Sequence, residues 1–239
     1  MLAKIALFLV VAFATSAPAQ LDPHRMAEDD LTDSGSFRAV ISLSTSDIPT
    51  LAVGPRKICG DGIEFLNLVS VAYQTSFYRV INQAPPLDAR YRVSVVAPKG
   101  REDLLYPGFQ RVVADTFGIR VRRETREMNV SVLRRGMGEL QLSRSRAGEA
   151  QHWFVDGKIH AIKQPIATLV DVLENFLDRA VVDETGLEGE FDWELSYRRA
   201  DETTVVNSVR NELGLEILPA TRAIEVLIVE AADPADDGH

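Results

Sequence analysis

What most constrains the fold of this 239-residue chain is a repeated order of hydrophobic periods: a helical stripe, then a short and a longer strand-like run. In the clearest copy Val205, Val206, Val209 and Leu213 form the stripe, Gly214 supplies a left-handed stop, and LEIL and AIEVLIVEA read as the two strands. Another copy places Pro107 in the first helical turn, Phe109, Val112, Val113 and Phe117 on the apolar face, and Gly118 at the stop. IRVRR and NVSVLRR then flank a turn at ETRE. A third opens at Pro165, with Ile166, Leu169, Val170, Leu173 and Leu177 on one face and AVVD and FDWELSY as strands. In the copy nearest the amino terminus, Asp61 and Glu64 have the spacing of a capping box ahead of Phe65, Leu66, Val69 and Tyr73, and FYRVI and YRVSVVA follow.

Four such helix-strand-strand units predict an α+β protein whose helices pack on small antiparallel or mixed sheets. A single two-stranded unit cannot bury its helix face alone, so the units must pair or share sheets. FRAVISL and HWFVDGKIHAI read as additional strands, one ahead of each pair of units. The chain then divides into two similar halves, residues 37–135 and 152–231, with the polar, glycine-bearing stretch 136–151 as a linker.

Residues 1–19 read as a cleavable export signal: Lys4 supplies the basic region, Ile5 to Phe13 the apolar run, and Ala17 and Ala19 the small residues ahead of cleavage before Gln20. The apolar run is well short of the roughly 20 residues that cross a bilayer, and no later run approaches that length. The expectation is an exported protein, periplasmic or extracellular, with no transmembrane segment after cleavage. Residues 20–36 and 232–239 are polar and aperiodic, and are expected to be a flexible lead-in and a disordered tail.

Formal charge is -9, and loss of the signal removes Lys4 but no acid, so the exported chain is one unit more acidic. That balance disfavours nucleic acid and anionic lipid as partners. Cys59 is the single cysteine, which excludes an internal disulfide framework and a thiolate metal cluster; it reads as a small buried or half-buried thiol.

Motifs for common chemistries are missing: there is no G-x-S-x-G elbow, P-loop, G-x-G-x-x-G turn or H-E-x-x-H helix. No metal and no cofactor is expected. His24 and His239 lie in the expected tails, leaving His152 and His160. With Asp156 they fall at even spacing on one candidate strand, where eight residues span about 26 Å, too far for a shared ion. Only a hairpin turn at Asp156-Gly157 would change that separation.

The densest acidic cluster is Asp183, Glu184, Glu188, Glu190, Asp192 and Glu194. Hard cations take several oxygen ligands, but the spacing is not that of a calcium loop. The same residues read as a turn, with Asp183 and Thr185 bonding nearby backbone and Gly186 and Gly189 supplying unusual conformations, followed by a solvated strand face. Alternation in EFDWELSY puts Phe191, Trp193, Leu195 and Tyr197 under the Ile166 to Leu177 helix. Glu190, Asp192, Glu194 and Ser196 then meet solvent or arginines such as Arg198, Arg120 or Arg122, so Asp192→Ala should cost under ~1 kcal/mol. The basic run Arg120, Arg122, Arg123 and Arg126 is a second binding candidate; without interleaved aromatics it reads as a hairpin surface paired with acids.

The segments VADTFGIRVRRETREMNVSVL, RAVVDETGLEGEFDWELSY and NELGLEILPATRAIEVLIVEAADP resemble the signatures of a large soil-bacterial family of secreted proteins of unknown function. Val113, Ala114, Asp115, Thr116 and Phe117 occupy the helix end of the family pattern, and VVDETGLEG matches its most specific core. The resemblance carries no catalytic residues. It implies an extracytoplasmic sensing or adaptor role, since some relatives look fused to membrane metallopeptidases of the antibiotic-sensor type. In outline the units are also similar to small periplasmic domains of secretins and outer-membrane receptors.

Two functions fit these residues: a non-enzymatic exported binding, sensing or interaction module with envelope proteins as candidate partners, or an extracytoplasmic hydrolase assembled from the acids and His160. Convergence of Asp183, Asp192 or His160 in a pocket favours the enzyme. An exposed sheet edge or apolar patch favours the module. Oligomeric state is open.

Overall fold

A computed structural model of the chain describes residues 36–145, 148–198 and 201–232. The expected signal, nearly all of the lead-in and all but the first residue of the tail lie outside the described residues. The chain is α+β, with β1 (Arg38–Ser44), β2 (Thr50–Val53), β3 (Lys57–Glu64), α1 (Phe65–Ala72), β4 (Val80–Asn82), β5 (Arg90–Val96), α2 (Leu105–Phe117) and β6 (Ile119–Arg135) in its first part. There follow β7 (Ser143–Arg144), β8 (Gln151–Val155), β9 (Lys158–Pro165), α3 (Ile166–Leu177), β10 (Val181–Asp183), β11 (Glu190–Ser196), α4 (Glu202–Leu213) and β12 (Leu215–Ala231).

Thr125–Ile224 form one compact unit, and the remaining described residues form the other. The stretch 136–151 therefore belongs to the Thr125–Ile224 unit: Gln141 donates its backbone N–H to Leu213, and Ser143 and Arg144 pair with β11.

In the unit that holds the amino-terminal strands, the sheet order is β1-β5-β3-β2, all antiparallel. Alternation turns Ile58, Val93 and Val95 to one face, where Leu68 and Val69 of α1 and Phe109 and Val113 of α2 cover them. The Phe117 ring meets Phe65 and Tyr91 edge-on, both at 4.9 Å. Helix α2 stops at Gly118, whose φ of 58° lets its N–H reach the Ala114 carbonyl. The expected capping box does not form. Glu64 is the N-cap of α1 and makes no side-chain cap, and Asp61 lies in β3. Strands β2 and β3 were not legible in the sequence, because KICGDGIE has a glycine-rich, weakly strand-forming composition.

In the Thr125–Ile224 unit the antiparallel order is β7-β11-β9-β8. Its core joins Ile159, Phe191, Trp193 and Leu195 to Leu169 and Leu173 of α3 and Val205 and Val209 of α4. The alternation expected for EFDWELSY holds at Phe191, Trp193 and Leu195, while Tyr197 is half-buried. The helix lying along β11 is α4; α3 packs on β9 and β10. Asp201 caps α4 by accepting the Thr204 N–H at 3.1 Å, and Gly214 ends it at a φ of 70°.

The expected turn at ETRE is absent, and so is the break at PATR between the two strands read as LEIL and AIEVLIVEA. ETRE and PATR lie inside β6 and β12, each a single strand of 17 residues, so two of the four anticipated units are a helix followed by one long strand. ETRE holds none of the Gly, Pro, Asn or Asp that turns use, and its charges belong to a strand whose residues alternate in exposure. Pro219 is tolerated in β12 because β4 pairs with that strand only at Leu227–Val229, so one side of Pro219 has no strand neighbour to miss its N–H.

Candidate functional site

In the Thr125–Ile224 unit the structure brings Glu190, Asp192, Glu194 and His160 together on the face of β9 and β11 that points away from the helices, and leaves Asp183, Glu184, Glu188 and Arg126 elsewhere. Asp156 and Gly157 have φ of 48° and 75° between paired Val155 and Lys158, a two-residue hairpin turn of the primed type. The register sets Trp153 beside His160 and His160 beside Glu194, so the three share one face. The Trp153 and His160 rings stack at 5.2 Å and 15°. Glu194 takes the Lys158 ammonium on one oxygen and His160 Nδ1, at 3.0 Å, on the other. Lys158 holds the Glu194 carboxyl below its ordinary pKa.

Glu190 has Lys163 Nζ at 3.9 Å. Asp192 sits opposite a bulge in β9, where the register slips between Phe191 and Trp193 and Lys163 adopts a φ of 54°. Its Oδ1 accepts the Lys163 backbone N–H at 2.8 Å. The acids of β11 are thus engaged by the adjacent strand rather than by Arg198, Arg120 or Arg122, because cross-strand neighbours lie only ~5 Å away. Asp192 is therefore half-buried and bonded rather than freely solvated.

The other unit carries the same kind of bulge. The β3–β5 register slips between Gly60 and Ile63, Gly62 has a φ of 68°, and Asp61 accepts the Gly62 N–H at 3.0 Å. Burial raises the Asp61 pKa, but Arg92 at 2.7 Å, the Ser44 hydroxyl and the Gly62 N–H outweigh it and hold the carboxyl below the usual range.

His152 pairs with Ala161 and so lies on the face opposite His160, which removes any shared ion site despite the hairpin. Burial lowers the His152 pKa, and its ring meets Phe154 at 6.2 Å. Among the described residues no group of three or more His, Cys, Asp and Glu stands close enough to hold a metal ion.

The loop after β10 is built as a turn. Asp183 Oδ1 accepts the Thr185 N–H at 2.8 Å, and Thr185 Oγ1 accepts that of Leu187 at 3.1 Å. Arg135 Nε donates to the Thr185 carbonyl at 3.0 Å, and Arg222 Nε to Glu184 at 2.6 Å. That bond lowers the Glu184 pKa. Glu188 is exposed at the loop tip. Asp183 lies on β10, in a different sheet from Asp192 and His160.

The arginines occupy one strand, not a hairpin. Arg122 bonds Glu124 and reaches Glu230 at 3.1 Å, Arg120 stands 3.8 Å from Glu230, and Arg123 pairs with Glu225 and donates to the Tyr73 carbonyl at 3.1 Å. Arg126 lies further along β6. Sequence reasoning missed Trp153, Lys158 and Lys163. The Asp156-Gly157 turn signal, followed through in register, would have placed Trp153 over His160.

Fold and face together define the class: an α+β protein with two helix-backed antiparallel sheets, whose candidate acids other than the exposed Glu188 are engaged by bases or backbone. Over residues 66–232 the chain matches the family model described as protein of unknown function (DUF3738), and it belongs to that family. No curated protein and no solved structure shows a significant match. Among the described residues no helix is long and apolar enough to cross a membrane.

Proposed function

We propose that this chain is an exported, non-enzymatic binding module of two duplicated α+β halves, which engages a protein of the cell envelope through the outer sheet face of residues 125–224. The observation that carries it is an exposed apolar pair in a charged surround: Trp153 is 40% and Val155 42% exposed on the same face of β8, beside the Lys158–Glu194 and Lys163–Glu190 pairs. Apolar centres rimmed by polar groups are the anatomy of protein interfaces, and tryptophan is enriched at their energetic centres. The hydrolase reading loses support because Asp183 is used in its own turn, Asp192 in a bulge, and His160 in a pair with Glu194. General acid-base catalysis would need these groups converging on one reacting atom.

Duplication is supported by the two sheet orders, which correspond strand for strand, and by a left-handed residue three positions before each following helix, Gly62 ahead of Phe65 and Lys163 ahead of Ile166. Export rests on Lys4, the Ile5 to Phe13 run and the Ala17/Ala19 pair. A photo-crosslinking residue at position 158, in the native host, is expected to capture a distinct envelope protein, and capture should disappear with Trp153→Ala. Crosslinker at position 99 should capture nothing. Intact mass of the same material should begin at Gln20. Absence of a heteromeric adduct, or equal capture from both positions, overturns the module reading.

A further inference from the structure

Sheet edges are where an extended strand can add, and natural proteins protect them with short strands, charges, proline or bulges. Among the described residues the other edges are shorter: β8 has five residues, β2 four, β4 and β10 three each, and β7 two. Strand β1 is different. It runs for seven residues, RAVISLS, in unbroken register with β5, with no proline and a single charge at its first position. Val40 is 59% and Leu43 75% exposed, and Ile48 in the following loop is 74% exposed.

Backbone phase tells which groups point outward. Ala97 donates its N–H to the Arg56 carbonyl, which makes Ala97, Val95 and Val93 the residues of β5 that bond to β3. Ser94, Arg92 and Arg90 therefore bond to β1, through Val40, Ser42 and Ser44. Ala39, Ile41 and Leu43 direct their N–H and C=O away from the sheet.

We propose that β1 pairs antiparallel with β1 of a second copy of this chain, about a two-fold axis at Ile41. Centring on Ile41, the midpoint of the strand, pairs Arg38 with Ser44 of the partner copy and so uses the whole length. Ile41 meets itself in a hydrogen-bonded pair, and the outward groups of Ala39 bond those of Leu43. On the helix side small Ala39 stands opposite large Leu43, which fills the space that leaves Leu43 exposed in one copy. On the other face Val40 stands opposite Ser42. No like charges oppose one another, because the only charge, Arg38, faces a serine; that electrostatic self-compatibility favours a second copy over an arbitrary extended peptide. The two four-stranded sheets become one of eight, within the range that open twisted sheets reach.

An interface of one strand pair is at the small, transient end of the size range, so the dimer should form over roughly 10 µM to 1 mM. The test is sedimentation equilibrium of the exported chain. Two surface variants, Val40→Glu with Ser42→Glu and Val40→Lys with Ser42→Lys, place like charges opposite each other twice across the axis. Each alone should stay monomeric with unchanged circular dichroism, and an equimolar mixture should dimerise at least as well as wild type. Leu43→Pro removes an outward N–H without touching a bond to β5 and should abolish the dimer. A wild-type chain monomeric at ~1 mM overturns the proposal, as does a dimer that survives in either charged variant or a mixture that stays monomeric. The inference goes beyond the module reading and stands on β1 alone, so a monomer would leave the heteromeric adduct at position 158 unaffected.

Discussion

Asp192→Ala tests whether the acidic strand face is decoration or structure. Lys163 holds a left-handed backbone at a φ of 54°, which a residue with a side chain adopts at a cost of roughly 1–2 kcal/mol. Asp192 Oδ1 fixes that conformation through the Lys163 N–H at 2.8 Å. A hydrogen bond to a charged group contributes about 1.5–3 kcal/mol, and water can replace part of it at this half-buried position, so about 1.5–2 kcal/mol should be lost. With a urea slope near 2 kcal/mol per M, the midpoint should fall by about 1 M. Asp192→Asn keeps an acceptor and removes the charge, and should lose less than half as much. Trp193→Ala, which empties the core beneath the same strand, should lose about 3–5 kcal/mol. Equal losses for the Ala and Asn variants would refute the bulge argument in favour of charge pairing. Losses below ~0.5 kcal/mol for both would show that Asp192 supports nothing.

Two further outcomes follow from the buried groups. Burial lowers the His152 pKa below its ordinary 6.5, so the unfolded chain takes up the proton first and stability should fall as pH drops through and below the ordinary histidine range. His152→Gln should flatten thermal stability over that window; the shifts of Asp61 and Glu194, both downward, act only below the ordinary carboxylate range, where their contributions are lost as acid protonates them. Gly118 and Gly214 both end helices with positive φ, but a Cβ at 118 meets nothing within 4 Å, while one at 214 would lie 2.3 Å from the Glu139 carbonyl oxygen. Gly118→Ala should therefore cost about 1 kcal/mol, and Gly214→Ala clearly more, measured by the same urea titrations.

The local pattern was enough to place the four helices and the stops of α2 and α4, but not the left-handed Asp178 that ends α3. Stripes such as Ile166, Leu169, Leu173 and Leu177, and the glycines at 118 and 214, act through neighbours within one or two turns. The alternation of Phe191, Trp193 and Leu195 was legible for the same reason, since strand period needs no partner to be seen. Tertiary structure alone decided that β6 and β12 run unbroken through ETRE and PATR, because whether a charged stretch turns or continues depends on the strand beside it. It also decided that Glu194 is met by Lys158 and His160, and Asp192 by the amide of Lys163, residues 29 to 36 positions away in sequence. Register brings those groups together, and a one-residue slip would part them, so no reading of either segment by itself contains the pairing.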